Sequence, residues 1–337
     1  MSRKTFRKVI TSEEAISKIN PQNKKLMERF LKNKNARCSD ETIKNYKSDL
    51  NIFFCYNLEN NDNKVFTDLE KIELSEFFDY GLLELKWSGN RYARMRSLIR
   101  SFSTFIEDYL DSMYPNFRNI VDKSVPKVPK IPVRKKTIVT EKQVYELRNE
   151  LIEKGDIQEA TYLMLLASSG ARISESLRIN VDMIDENNTA FGDLFLDTTD
   201  ELKTKGHGKN GMMMTRFIIK DTFLPMFKKW IPIREEIMKK NNKEHNHMFI
   251  KSNGDPISKS GANYWIKKWE DILGVDAYAH MFRHFIVSDL TRKGCSSDFV
   301  VAVMKWKSGG AMYEIYNDVE DKDREWKEID KLKNVFK

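Results

Sequence analysis

The sequence predicts a mainly helical protein with a small antiparallel β-sheet, built as a helical N-terminal domain and a larger mixed α/β domain. Three observations support this prediction. Apolar residues recur at helical spacing on both sides of a proline-rich segment, and short extended segments cluster around an Asn-Gly turn. The length of 337 residues also exceeds the usual size of one domain, and 40% hydrophobic residues suffice for two cores.

A helical domain is predicted over residues 1–122. Its apolar residues recur at steps of three and four, which is the period of an amphipathic helix. Ser39 or Asp40 can cap one of these helices. The patterns cover residues 22–30, 41–57, 68–85 and 91–109.

A basic linker is predicted over residues 123–139. Pro126, Pro129 and Pro132 stand at every third position among lysines, which favours an extended and semi-rigid segment. Thr140 and Gln143 then fit a capping box, so a second domain is expected to begin at residue 140 and run to residue 337.

The second domain combines helices with short strands. Strands are predicted at Leu194–Asp197, Leu202–Lys209 and Met213–Lys220, with a hairpin turn at Asn210-Gly211. Met248–Lys251 is a further extended segment before an Asn-Gly-Asp-Pro turn.

Charge and cysteine content narrow the classes of function. The net charge of +8 is compatible with a polyanionic partner. The three cysteines lie far apart, which excludes a disulfide framework and favours a reducing cytosol. A signal peptide and a membrane-spanning run are not evident, so a cytoplasmic protein is expected. Helix geometry leaves open whether Arg91, Arg94, Arg96 and Arg100 form a solvated face or contact phosphates.

Three segments could carry chemistry. Gly170 is a plausible C-cap before Arg172, and Ser174 can cap the next helix. His280 and Arg283 share a face at the start of a helix. A zinc site formed by His280 and His284 is disfavoured because a third ligand is not evident. The third segment, Met304–Val319, carries Tyr313 and Tyr316 on one helix face. None of the three segments decides the function alone.

Taken in order, these segments resemble the tyrosine recombinase, or phage integrase, family. The resemblance covers roughly residues 22–319, nearly the whole chain. It implies a SAM-like core-binding domain before the linker and a tyrosine-recombinase catalytic domain after it. The implied catalytic residues are Arg172, Lys205, His280, Arg283, Trp306 and Tyr316.

The resemblance also implies a role for each residue. Arg172 and Arg283 would bind the non-bridging oxygens of the phosphate, and Lys205 would protonate the leaving 5′ oxygen. His280 would exchange a proton with the tyrosine, Trp306 would support the site, and His284 would donate to backbone. No metal or other cofactor is implied.

Two assignments keep alternatives. Trp306 and Tyr316 are ten positions apart, one more than is usual in the family, and Tyr313 is the other possible nucleophile. Tyr316 is preferred because Asn-Asp-Val follows it. Lys203 and Lys209 share a strand face with Lys205, so the pattern alone does not separate the three lysines.

The implied function is site-specific recombination of double-stranded DNA through a 3′-phosphotyrosine, in a nucleoid-associated cytoplasmic protein. The alternatives are an inactive DNA-binding regulator on the same scaffold and, less compatible with two domains, a type IB topoisomerase. A tail from about residue 320 would join four subunits on two DNA sites. The residues expected to contact DNA are Arg91, Arg94, Arg96, Arg100, Lys127, Lys130, Lys135 and Lys136.

Overall fold

The structure is a computed structural model that describes residues 11–129, 137–204, 206, 209, 211–306 and 310–319. The chain divides into two compact units. One is built from Met1–Lys135 together with Gly206–Gly211, and the other from Lys136–Lys205 together with Met212–Lys337.

The first unit is a bundle of helices, as predicted. Ser39 and Ser88 cap the two longest by accepting hydrogen bonds from the backbone N–H groups of Thr42 and Arg91. Phe30 and Phe102 meet edge to face at 5.2 Å in the core. The helices are α1 (Glu13–Lys18), α2 (Pro21–Asn35), α3 (Asp40–Asn60), α4 (Lys71–Leu83), α5 (Gly89–Tyr109) and α6 (Val121–Ser124).

Residues 121–128 pack against this unit. Val121 and Val125 are buried in its core, and the Tyr92 hydroxyl donates to the carbonyl of Pro126. The part of the predicted linker up to residue 128 therefore extends the helical bundle, and residues 130–136 lie outside the described chain.

The second unit surrounds a buried helix. Every side chain from Glu159 to Ser169 in α8 is buried, and the capping box predicted at Thr140 and Gln143 is present at the start of α7. The helices are α7 (Glu141–Glu153), α8 (Ile157–Ser169), α9 (Ile173–Ser176), α10 (Lys220–Lys240), α11 (Lys259–Leu273), α12 (Ala279–Arg292), α13 (Ser297–Val303) and α14 (Gly310–Tyr316).

The strands of the second unit form two small antiparallel sheets, one ordered β1-β2-β5 and one pairing β3 with β4. Phe195 lies opposite Ile219 in the first, and Leu202 opposite Met214 in the second. The strands are β1 (Thr189–Ala190), β2 (Phe195–Asp197), β3 (Leu202–Thr204), β4 (Met212–Met214) and β5 (Phe217–Ile219).

The prediction of one continuous strand over Met213–Lys220 was wrong. The chain leaves β4 at Thr215 and enters the other sheet as β5, because the side chain of Arg216 turns into the protein interior between the two strands. Strand β3 ends at Thr204, and Asn210 of the predicted turn lies outside the described residues. Near Met248, Ile250 makes an isolated bridge to Pro256 and belongs to neither sheet.

No described helix is long and apolar enough to cross a membrane. The described part of the chain also contains no group of three or more His, Cys, Asp or Glu side chains placed to hold a metal ion.

Candidate active site

A glycine turn between α8 and α9 presents Arg172. Gly170 ends α8 in the left-handed conformation, with φ of 56°, as expected for a C-cap. A Cβ atom here would lie 2.7 Å from the side chain of Ile286 and 2.9 Å from that of Met304, so close packing also requires glycine. Arg172 itself is the N-cap of α9, so the prediction that Ser174 caps this helix was wrong.

Glu175 is a fully buried carboxylate that holds two arginines. Its Oε1 accepts from Arg172 at 2.9 Å and its Oε2 from Arg216 at 2.7 Å. Burial acts to raise the pKa of Glu175, but the charges of Arg216 and Arg172 outweigh it and hold that pKa below its usual value. Sequence reasoning missed Arg216, whose one signal was a lone basic residue at the edge of an apolar strand.

Arg283 is buried against the same turn, with a relative exposure of 1%. Its Nη1 donates to the carbonyl of Gly170 at 2.8 Å, while its Nε and Nη2 have no acceptor among the described residues. Burial lowers the pKa of Arg283 to about 10, and the positive charge of Arg172 acts in the same direction. Two unused donors on a buried guanidinium are typical of a site that binds an anion.

Tyr316 lies at the end of α14, and its hydroxyl is 2.9 Å from Nε2 of exposed His280 in a hydrogen bond. Its ring stacks on Trp306, with centroids 5.4 Å apart and planes at 25°. The Arg283 guanidinium lies 5.1 Å from the centroids of both rings. The phenol is therefore held beside an imidazole and a guanidinium.

Trp306 contributes another unused donor. Its Nε1 is buried and has no hydrogen-bond acceptor in the described part of the chain. The preceding residue, Lys305, has φ of 51°, which lies in the left-handed region that a lysine rarely adopts. This turn directs the indole onto the tyrosine.

Tyr313 occupies a different environment from Tyr316, although both belong to α14. Its hydroxyl is 3.1 Å from that of Thr291 and accepts from the Asn317 amide at 3.3 Å. It is thus engaged by neutral partners inside the core, whereas the Tyr316 hydroxyl meets an imidazole.

His284, expected to donate to backbone, contacts a carboxylate that the sequence did not indicate. Its Nδ1 lies 3.0 Å from the Asp318 carboxylate, and its ring lies 4.8 Å from that of Tyr316. Asp318 lies two residues beyond the tyrosine, so this contact ties His284 to the segment that carries Tyr316. A hydrogen bond from the other ring nitrogen to backbone stays a prediction.

The predicted lysine and part of the predicted DNA surface lie outside the described residues. These are Lys205, Lys130, Lys135, Lys136 and the tail from residue 320. Lys203 is in β3 opposite Met213, and Lys127 is exposed.

The arginines of α5 form ion pairs within the first unit. Arg91 and Arg94 share Asp49, at 2.7 and 3.2 Å. Arg96 and Arg100 share Asp122, at 2.7 and 2.9 Å. The side chains of Arg94 and Arg100 remain 53% and 57% exposed, which leaves these two guanidinium groups accessible to a further anion.

This fold and this site define a class: a mainly helical protein that holds a tyrosine against a histidine beside buried arginines. The sequence model of the phage integrase family matches residues 137–323. The chain belongs to that family, the tyrosine recombinases.

A relative in sequence and two solved structures are also similar to this chain. A tyrosine recombinase of Thermosipho africanus (strain TCF52B) is 24% identical over 292 residues, which cover 86% of this chain and 92% of the relative. Among solved structures, the Tn1549 transposon integrase in complex with transposon right end DNA has a TM-score of 0.64 at 16% identity, covering 92% of this chain and 99% of the other. A lambda integrase tetramer bound to a Holliday junction has a TM-score of 0.62 at 13% identity, covering 89% of this chain and 77% of the other.

Proposed function

We propose that this protein is a site-specific recombinase that cuts and rejoins duplex DNA through a 3′-phosphotyrosine. The observation that carries the proposal is the 2.9 Å hydrogen bond between the Tyr316 hydroxyl and Nε2 of His280. Beside it lies a buried arginine with two donors that find no acceptor among the described residues.

Tyr316 is the proposed nucleophile. Its oxygen attacks phosphorus while His280, with Nε2 unprotonated, accepts the phenolic proton. The bond from phosphorus to the 5′ oxygen breaks, so the products are a phosphotyrosine on the 3′ end and a free 5′ hydroxyl. Attack by another 5′ hydroxyl reverses these steps and joins the strands, with the proton returning to the tyrosine.

Arg172 and Arg283 are the proposed stabilisers of the extra negative charge at phosphorus. An arginine fork suits two phosphate oxygens, and a water-poor site strengthens the attraction. Donors for these oxygens are Nε and Nη2 of Arg283 and Nε1 of Trp306, which find no acceptor in the part of the chain that the structure describes. Arg172 is half-buried and already oriented by Glu175.

The leaving 5′ oxygen needs a proton. The family resemblance assigns this role to Lys205, and we retain that assignment as part of the proposal. An ammonium group can act as the general acid, provided that it reaches the bridging oxygen in the complex with DNA.

DNA binding is proposed for the helical domain over residues 1–122 and the basic segment predicted over 123–139, of which residues up to 128 pack on that domain. Catalysis is proposed for the domain over 140–337. Arg91, Arg94, Arg96, Arg100 and the linker lysines would contact phosphates, which position the protein without reading sequence. Accessible Arg94 and Arg100 are the strongest candidates on α5.

Assembly on DNA is proposed through the tail from about residue 320. The lambda integrase in the solved structure is a tetramer on a Holliday junction. Two duplexes with both strands cut have four cut positions, so they require four active sites. Deleting the chain from Asp321 should impair pairing of two DNA sites more than binding to one site. Unchanged pairing would refute this role of the tail.

The test is covalent trapping. A duplex sequence is first selected by the protein from a random pool, then nicked near the cut position so that the released 5′ end diffuses away. Denaturing electrophoresis should show a protein-DNA band that forms without added nucleotide triphosphate. Sequence-specific binding without such a band would contradict the proposal and favour a DNA-binding regulator on a recombinase scaffold.

A further inference from the structure

Arg216 lies between β4 and β5 and is buried, with a relative exposure of 3%. We propose that Arg216 is a positioning residue for DNA cleavage, which orients Arg172 through Glu175 and the Trp306 turn through the carbonyl of Met304. The inference rests on the proposed function, because the residues that it orients are the proposed charge clamp and the support of the nucleophile.

The first link runs to Arg172. Nη2 of Arg216 donates to Oε2 of Glu175 at 2.7 Å, and Oε1 of the same carboxylate accepts from Nη1 of Arg172 at 2.9 Å. The carboxylate is fully buried, so it cannot exchange these partners for water. The direction of the Arg172 guanidinium therefore depends on where Arg216 holds Glu175.

The second link runs to the turn that carries Trp306. Nη1 of Arg216 donates to the carbonyl of Met304 at 3.2 Å. The neighbours of Arg216 hold the next residue of the turn: the Lys305 amine donates to the Thr215 hydroxyl and lies 3.9 Å from the centroid of the Phe217 ring. Three consecutive residues thus fix the left-handed turn that places the indole on Tyr316.

The chemistry of arginine suits this double role. A planar guanidinium offers separate N–H groups to the carboxylate and the carbonyl, whereas a lysine ammonium is a point charge. Burial lowers the pKa of Arg216, although Glu175 acts against this, and its Nε has no acceptor among the described residues. Buried ion pairs are poor sources of net stability. A role in placing both partners therefore explains the Arg216–Glu175 pair better than a role in stability.

The test compares two DNA substrates. Arg216→Met should lower the single-turnover cleavage rate at saturating protein by about 100-fold on a normal phosphate, as expected for a misplaced catalytic group. A methylphosphonate at the cut position lacks one charged oxygen and needs the arginine clamp less. On this substrate Arg216→Met should lower the cleavage rate by no more than about 5-fold. Equal losses on the two substrates would overturn the inference.

Two variants control for folding. Arg234 is another buried arginine of the second unit, and it donates to the carbonyls of His245 and His247. Arg234→Met should lower the melting temperature without changing the ratio of the two cleavage rates. Arg216→Lys should recover part of the rate on phosphate, because it restores the charge beside Glu175 but not both hydrogen bonds. No recovery by lysine, or a changed ratio in Arg234→Met, would count against positioning.

A readout independent of cleavage separates this inference from the proposed function. The amides of Glu175, Ser176 and Trp306 donate hydrogen bonds within the two linked segments. Arg216→Met should make hydrogen exchange faster in both segments together, by at least about 10-fold, with α10 unchanged. Unchanged exchange in either segment would overturn the inference, even if the wild-type protein proved unable to cut DNA.

Discussion

Nδ1 of His284 lies 3.0 Å from the carboxylate of Asp318, two residues beyond Tyr316. His280, four residues earlier on α12, contacts the Tyr316 hydroxyl, and Ser288, four residues later, accepts from the backbone N–H of Asp318. Residues four apart lie on one face of a helix. One face of α12 therefore holds the tyrosine segment from its hydroxyl to its backbone.

Loss of the Asp318 carboxylate should loosen this segment. Asp318→Ala removes the carboxylate that Nδ1 of buried His284 contacts, so the free energy of unfolding should fall by about 1–3 kcal/mol in urea denaturation. Ile315→Ala, which removes a 56% exposed side chain from the same helix, should change it little. Equal stability of the two variants would contradict the structural role of the pair.

Gly170 should not tolerate a side chain. Gly170→Ala combines a strained left-handed alanine with contacts to Ile286 and Met304, which should cost about 2–4 kcal/mol of unfolding free energy. Gly155 is the matched control: its φ is 79°, and a Cβ there meets nothing within 4 Å. Gly155→Ala should therefore cost about 1–2 kcal/mol. An equal loss of unfolding free energy in the two variants would contradict a packing requirement for glycine at position 170.

The Glu175 network should give the protein an acid-sensitive component of stability. Since the folded-state pKa of Glu175 is lowered, its stabilisation is fully present above the unfolded pKa, near 4.5, and is lost as pH falls through the lower folded value. The wild-type advantage over Glu175→Gln in unfolding free energy should thus shrink below pH 4.5. An advantage that grows on acidification would contradict the lowered pKa.

Arg94 should contribute to DNA affinity through phosphate. In Arg94→Ala, Asp49 keeps its partner Arg91, so folding should be preserved while the slope of log affinity against log salt falls by about one. The measurement is fluorescence anisotropy of labelled duplex over a salt series. Arg29→Ala, which removes an exposed arginine held against Met113 of the same unit, is the control. An unchanged slope for Arg94→Ala would remove Arg94 from the DNA surface.

Local sequence signals predicted much of the fold. The apolar stripe of α5, the capping box at Thr140 and the C-cap at Gly170 are each set by nearby residues, and each is present. The split of the strand over 213–220 was not predictable, because it depends on Arg216 reaching Glu175, 41 positions earlier.

The site was predictable where a family motif covers it and obscure elsewhere. Ordered motifs singled out Arg283, His280 and Tyr316, which the fold brings together. Spacing alone left Tyr313 open, and the contact of the Tyr316 hydroxyl with His280 supports the proposal of Tyr316 as the nucleophile. The partnership of His284 with Asp318 depends on the path of the chain after α14, which periodicity does not encode.

The proposed cleavage by Tyr316 is tested most directly by identifying the tyrosine that becomes linked to DNA. The trapped complex is digested, and the peptide that carries the nucleotide is sequenced by mass spectrometry, with Tyr316→Phe and Tyr313→Phe as the paired variants. The nucleotide should be attached to Tyr316, Tyr316→Phe should abolish the covalent band, and Tyr313→Phe should retain it. A nucleotide on Tyr313, or a band that persists in Tyr316→Phe, would contradict Tyr316 as the nucleophile.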